Sequence, residues 1–256
     1  RTRVYGVIGC PVGLSLSPAV HNAAFEALGL DAVYVPLRIE PGALSFDRFM
    51  DQLKASPWAD IRGLSVTIPH KENALEYVGA YNCEKLAVAI GAINTIAIGP
   101  DGAMRGTNTD YAAATDALVA AMGIRREELA GRTAAVLGAG GAARAVVAAL
   151  AHYGAKVTIY NRTVERSVEL AEAFGAAAGP LDEAAAGPRL ITINTTPIGM
   201  HPRVDASPLG SIPAAARVVF DTIYNPPQTR LLAQAAAAGC TTVSRVDTFI
   251  QQAAAP

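Results

Sequence analysis

The stretch VLGAGGAARA, residues Val136 to Ala145, constrains this chain more than any other, because three glycines stand between an apolar strand-like run and an alanine-rich helical one. A strand that feeds a helix through a turn without side chains leaves the first helical N–H groups, and the positive end of the helix dipole, open to a pyrophosphate. Ala143 stands where a third glycine is usual, and a small side chain there suits close helix–strand packing. Strand, turn and helix together predict dinucleotide binding through Gly138, Ala139, Gly140, Gly141 and Ala142. A bare strand–helix turn is the plainer alternative.

The flanking sequence repeats the strand–helix alternation. KVTIYN, RLITINTT, RVVFDTIY and TTVS read as strands, and GAARAVVAALAHYG, RSVELAEAFG and TRLLAQAAAAG as helices, the order of a doubly wound parallel sheet. Ahead of them, RVYGVIG, AVYVPLRI and IRGLSVTI read as strands, and GALSFDRFMDQLKAS and ENALEYV as helices. SPAVHNAAFEALGL is a helix with Ser17 as its expected N-cap, Pro18 at the first helical position and Gly29 as its stop. GAINTIAIGPDGAMRGTN reads as a strand pair turning at Pro100-Asp101-Gly102, and DYAAATDALVAAMG as a long connecting helix. The expected fold class is α/β. The expectation is an N-terminal α/β domain over residues 1–110, on the side of a substrate, a Rossmann-like doubly wound domain over 111–244, a cleft between them that would hold the active site, and a helix over 245–256 packing back on the first.

Composition narrows the partners. Hydrophobic residues at 51% against 17% charged residues exclude a disordered chain, and no apolar run reaches the roughly 18 residues of a membrane span. A formal net charge of −1 with scattered cations offers no basic face, so neither nucleic acid nor a membrane surface is expected as a partner. A small molecule is, bound by a monomer or homodimer. Cys10, Cys83 and Cys240 lie far apart without metal-ligand spacing, which fits buried thiols in a reducing cytoplasm and predicts no metal. No targeting leader precedes the first strand, and a start at Arg1 is compatible with a piece of a longer polypeptide.

The end of the strand after the glycine helix selects the dinucleotide. Asn161 stands 161 − 138 = 23 residues beyond Gly138, near the spacing of about 20 at which a carboxylate would hold the ribose of NAD. The sequence there is YNRTVER, without a carboxylate at the strand tip. Arg162 and Arg166, with Asn161 and Thr163 beside them, suit a 2′-phosphate instead, so NADP is the expected cofactor. A surface arginine in a capping turn is the competing reading.

In the first half, GLSVTIPHK delivers Lys71 directly after a strand. Of the 21 basic residues only Lys54, Lys71, Lys85 and Lys156 are lysines. A lysine, unlike an arginine, can exchange a proton near neutral pH, though a solvated surface lysine fits this count equally well. In PVGLSLSPAVHN, Ser15 and Ser17 stand two apart beside a helix start, where two hydroxyls could seat a carboxylate. GAINT and GTNTD place Asn, Thr and Asp where strands meet loops, for hydroxyl binding or for turn chemistry.

Taken in order, SLSPAVHN, SVTIPHK, GAINT, GTNTD, GAGGAARA, NRT, NTTPIGM and DTIYNPPQTRLL resemble the shikimate dehydrogenase family over nearly the whole chain. SVTIPHK with GAINTI also resembles the form fused to 3-dehydroquinate dehydratase. The resemblance implies NADPH-dependent, reversible reduction of 3-dehydroshikimate to shikimate, by a cytoplasmic oxidoreductase of aromatic amino-acid biosynthesis. It implies that Ser15 and Ser17 bind the substrate carboxylate, with Tyr224 near it. Thr67, Asn94 and Gln252 would hold ring hydroxyls, and Lys71 with Asp110 would form the catalytic pair. Quinate/shikimate dehydrogenase with mixed cofactor use is the neighbouring alternative, and a non-catalytic dinucleotide- or shikimate-binding protein the more distant one. The chain departs from the family pattern at Ser65, commonly Asn, at Arg245, where a glycine is usual, and at Thr248, where a methionine is usual. The family's C-terminal helix is also cut short after Ala255-Pro256.

Overall fold

The computed structural model describes residues 2–13 and 15–245, and the chain divides into two compact units, Arg1–Thr109 and Asp110–Pro256. The first unit carries the strands β1 (Arg3–Gly9), β2 (Ala32–Arg38), β3 (Ile61–Val66), β4 (Thr95–Ile98) and β5 (Met104–Thr107), ordered β2-β1-β3-β4-β5. β1 runs parallel to β2 and β3, while β3–β4 and β4–β5 are antiparallel. Parallel neighbours need a crossover, and α1 (Ser17–Ala27) and α2 (Ala43–Lys54) supply them. The two short helices α3 (Lys71–Val78) and α4 (Lys85–Ile90) follow β3. Phe46 and Met50 of α2 are fully buried with Ile8, Leu64, Val66 and Ile96 of the sheet. At roughly 1.5–3 kcal/mol per fully buried large apolar side chain, this layer is a principal source of the unit's stability.

Two local expectations change. Ser17 is the first residue of α1 rather than its N-cap, and Pro18 follows it. Leu16 already has helical dihedrals, and the Ser15 hydroxyl accepts the Ser17 N–H at 3.3 Å, so the cap function has moved upstream. The helix stops as expected, with Gly29 at φ +63° just past its end. α4 is an addition, since a six-residue KLAVAI is too short to show helical periodicity. The turn at Pro100-Asp101-Gly102 is present, closed by Gly102 N–H on Gly99 O at 3.0 Å.

The second unit opens within α5 (Thr109–Met122), at Asp110, and holds a six-stranded, wholly parallel sheet. Its strands are β6 (Thr133–Leu137), β7 (Lys156–Asn161), β8 (Ala177–Pro180), β9 (Ile191–Asn194), β10 (Val218–Asp221) and β11 (Thr241–Val243), ordered β11-β10-β9-β6-β7-β8. α6 (Gly141–His152), α7 (Val164–Phe174) and α8 (Arg230–Ala237) provide crossovers. Both faces are covered, so β9 and β10 are buried at every residue, as all-parallel strands require. β8 is an addition, because AAGP has neither strand propensity nor alternation and is held by pairing with β7.

The strand order reverses between β6 and β9, which opens a crevice at their carboxyl ends, the general ligand position of such sheets. Gly138 stands at that point with φ +107°, and a Cβ there would lie 2.7 Å from Thr195 Oγ1. Gly138→Ala is expected to cost about 1–3 kcal/mol, read as a lower midpoint in urea unfolding. An unchanged midpoint would mean that the loop after β9 yields freely.

Candidate active site

In the first unit the site residues sit on a loop that only a glycine admits. A Cβ on Gly9, at the end of β1, would clash with Thr67 Cγ2 and stand 2.9 Å from Ile68 O. The chain leaving β3 therefore folds tightly across β1, with Thr67 N–H donating to Ile8 O and Cys10 N–H to Ile68 O, each at 2.9 Å. His70 N–H then donates to Thr67 O at 3.0 Å, and Lys71 begins α3. His70 is fully buried under this turn. Its Nε2–H donates to Ile39 O at 3.0 Å and its Nδ1 accepts from Asn73 Nδ2 at 3.2 Å, a pairing that selects the Nε2–H tautomer. Lys71 is half-buried, and its carbonyl accepts Ile93 N–H at 3.0 Å, which ties the head of α3 to GAINT.

Asn94 is buried beside that tie. Its Oδ1 accepts from Thr109 N–H at 2.8 Å and from Thr95 Oγ1 at 3.0 Å, while its Nδ2 donates to Thr109 Oγ1 at 3.1 Å. The amide thus joins the start of β4 to the segment after β5. Thr67, Lys71 and Asn94 are brought to one end of this sheet.

The serine pair is organised by a residue that the sequence reading passes over. Tyr34, on the edge strand β2, donates its hydroxyl to Ser65 Oγ at 2.7 Å and lies within hydrogen-bonding reach of the Ser17 side chain. Burial pushes the Tyr34 phenol above its ordinary range, so it serves here as a neutral donor. His21 stacks on the Tyr34 ring at 4.4 Å, and burial pushes its imidazole below its usual range, toward the neutral form. The Asn22 amide brackets the Tyr34 backbone, accepting from its N–H at 2.8 Å and donating to its C=O at 2.9 Å. The His-Asn pair of SPAVHN therefore fastens α1 to the sheet edge. Within AVYVPLRI, read as a strand, Tyr34 carries no sequence signal that separates it from an aromatic residue packed on a sheet.

In the second unit, α6 presents its N-terminus behind an open glycine turn. A Cβ on Gly140 or Gly141 would meet nothing within 4 Å, space into which a pyrophosphate fits against the helix N–H groups. Arg162 and Arg166 are exposed at the tip of β7 and the start of α7, where Asn161 Nδ2 donates to Thr163 O at 2.8 Å and shapes the turn. This cationic tip fits a 2′-phosphate. Asp110 lies in the first turn of α5, where the helix dipole favours a carboxylate. Arg245 Nη2 stands 4.0 Å from its Oδ1. Tyr224 is 52% exposed on the segment after β10. Gln252 and Thr248 lie outside the described residues.

Behind the crevice runs a buried polar chain also absent from the sequence reading. Asp221 accepts from Asn194 Nδ2 and Ile223 N–H, each at 3.1 Å, and from Thr229 Oγ1 at 2.7 Å. Asn194 Oδ1 in turn accepts from Thr196 N–H at 3.0 Å and Thr196 Oγ1 at 2.7 Å. These bonds hold the loops after β9 and β10 to each other, which gives NTTPIGM and DTIYNPPQT a joint structural role. Among the described residues no cluster of three or more His, Cys, Asp or Glu could hold a metal ion, and no helix is long and apolar enough to cross a membrane.

Comparison with known proteins extends this geometry. Residues 7–96 match the family model described as the shikimate dehydrogenase substrate binding domain, and residues 120–189 that described as shikimate/quinate 5-dehydrogenase. A shikimate dehydrogenase (NADP(+)) of Methanosarcina acetivorans is 41% identical over 266 residues, spanning 98% of this chain and 90% of the relative. The chain belongs to the shikimate dehydrogenase family. A bifunctional 3-dehydroquinate dehydratase/shikimate dehydrogenase of Arabidopsis thaliana is 39% identical, spanning 98% of this chain and 43% of the relative. The crystal structure of a Thermus thermophilus shikimate 5-dehydrogenase in complex with NADP(H) and shikimate is similar at a TM-score of 0.81 and 36% identity, covering 99% of this chain and 91% of that one.

The buried Asp221 carries a pH signature. Burial pushes its carboxyl above the ordinary value of 3.8, and the bonds from Thr229, Ile223 and Asn194 oppose that rise. The folded state then binds more protons than the unfolded one between 3.8 and the raised value, so stability falls as pH rises through that window. Against Asp221→Asn, which does not titrate, the wild-type chain should be favoured most below the ordinary value of 3.8 and progressively less as pH rises above it. Urea unfolding of both chains across this range checks it; a difference that moves the other way would contradict a raised carboxyl.

Proposed function

We propose that this chain is an NADP-dependent shikimate dehydrogenase, which reversibly reduces 3-dehydroshikimate to shikimate with NADPH in aromatic amino-acid biosynthesis. The observation that carries this is the 41% identity to a shikimate dehydrogenase (NADP(+)) across 98% of the chain. In this reading residues 1–110 bind the substrate and 111–244 the cofactor. It acts in the cytoplasm as a monomer or homodimer on a small molecule, without nucleic acid or membrane. Shikimate is favoured over quinate because relatives 40% and 41% identical to the chain carry shikimate in their names, although one matching family description names both.

Bound NADPH supplies the hydride, and the chain supplies geometry and protons. Ser15 and Ser17 seat the substrate carboxylate, with Tyr224 near it, and the Tyr34 hydroxyl keeps the Ser17 side chain in place. Thr67, Asn94 and Gln252 hold ring hydroxyls. As the carbonyl oxygen gains negative charge, Lys71 stabilises it and delivers the proton, and Asp110 is assigned to the same reaction as its catalytic partner. The backbone ties on either side of Lys71, His70 N–H to Thr67 O and Ile93 N–H to Lys71 O, support this role, because a proton donor must be held within hydrogen-bond reach of the reacting atom. Gly138, Ala139, Gly140, Gly141 and Ala142 cradle the pyrophosphate. Asn161, Arg162, Thr163 and Arg166 receive the 2′-phosphate.

Lys71→Ala should lower turnover in an NADPH-oxidation assay with 3-dehydroshikimate by about two to four orders of magnitude; unchanged turnover would remove Lys71 from the mechanism. Arg162→Ala should raise the KM for NADPH about 10- to 100-fold and leave that for NADH nearly unaltered. An equal effect on both cofactors would remove the 2′-phosphate assignment.

A further inference from the structure

Arg245 is the departure from the family pattern that the structure connects to a proposed catalytic group. It stands two residues past the end of β11, where the family pattern has a glycine that could offer no charge. Its Nη2 lies 4.0 Å from Oδ1 of Asp110, 245 − 110 = 135 residues earlier in the chain, with the two side chains 35% and 20% exposed. A partly exposed ion pair of this kind contributes little to stability. Its consequence is therefore directional rather than a matter of holding the unit together. A carboxylate on the first helical turn can rotate about its own Cβ–Cγ bond. A guanidinium near one oxygen favours the orientations that keep that oxygen turned toward it.

We propose that Arg245 is a positioning residue for Asp110, fixing the orientation in which the carboxylate meets its partners in the reaction. This inference rests on the proposed role of Asp110. The glycine of the family pattern leaves that orientation to other contacts, whereas this chain sets it with an added cation.

The test uses the full chain, with NADPH oxidation by 3-dehydroshikimate measured for Arg245→Ala, Arg245→Met, Arg245→Lys, Asp110→Asn and the double variant Arg245→Ala/Asp110→Asn. Arg245→Ala and Arg245→Met should lower kcat by about 3- to 10-fold with the KM for 3-dehydroshikimate changed less than about twofold. Arg245→Lys should restore kcat to within about twofold of wild type, and the melting temperature should stay unaltered throughout. In the Asp110→Asn background, Arg245→Ala should have no further effect. A wild-type kcat for Arg245→Ala, or full recovery in the uncharged Arg245→Met, overturns the inference while a damaged Asp110→Asn leaves the role of Asp110 standing. Full activity in Asp110→Asn overturns that role itself, and the inference with it.

Discussion

The second unit depends on how closely two loops approach at the point where its strand order reverses. Thr195 donates to Leu137 O through both its backbone N–H, at 2.9 Å, and its hydroxyl, at 2.6 Å. That double bond from one residue staples the loop after β9 against the end of β6, and it leaves no room for a Cβ at Gly138. With the first glycine pinned from behind, the next two remain open in front, so α6 can present its N–H groups to an anion without any side chain intervening. The buried chain through Asn194, Asp221 and Thr229 then extends the staple to β10 and α8. A partly satisfied network at this depth would be costly, and each oxygen of Asp221 has a donor. The open turn proposed to receive an anion and the stability of the sheet end thus rest on the same few atoms.

The first unit solves a similar problem with the same device. Gly9 admits Thr67 and Ile68 against the end of β1, as Gly138 admits Thr195 against the end of β6. In each case a strand end without a side chain lets a neighbouring loop cross close by, and in the first unit that loop carries Thr67 and leads into Lys71. His70 completes the arrangement from below. Its ring is closed in by Phe46 at 5.4 Å and bonded at both nitrogens, so the turn leading to Lys71 has little freedom.

What could be read from the sequence divides along the range of the interaction. The glycine loop, the parallel alternation of the second unit and the stop at Gly29 were legible because each is a local pattern of turn chemistry and periodicity. The start of α1 was misjudged by one residue, since a serine beside a proline suits several positions of a first turn and only the Ser15 hydroxyl decides among them. β8 and α4 had no local signal, as one is held by its partner strand and the other spans six residues. The paired serines were visible, but Tyr34 was not. Its hydroxyl meets Ser65 across 31 positions of sequence, and an aromatic within a strand has an adequate explanation in packing alone.

Ser65 shows why such long-range contacts decide what a departure from a family pattern means. Read alone, serine for asparagine is the loss of an amide that could reach a ligand. In the folded unit the shorter hydroxyl accepts from Tyr34, which also reaches Ser17. Ser65 is therefore linked to the Ser17 side chain, one of the two hydroxyls of the proposed carboxylate seat, through the tyrosine between them. Arg245 follows the same logic from the opposite direction. A large cation in place of glycine would by size alone suggest obstruction, yet its guanidinium stands 4.0 Å from a carboxylate on α5. In both cases the substituted residue is explained by the charge or donor it meets, and size or residue class alone would have led to the opposite conclusion.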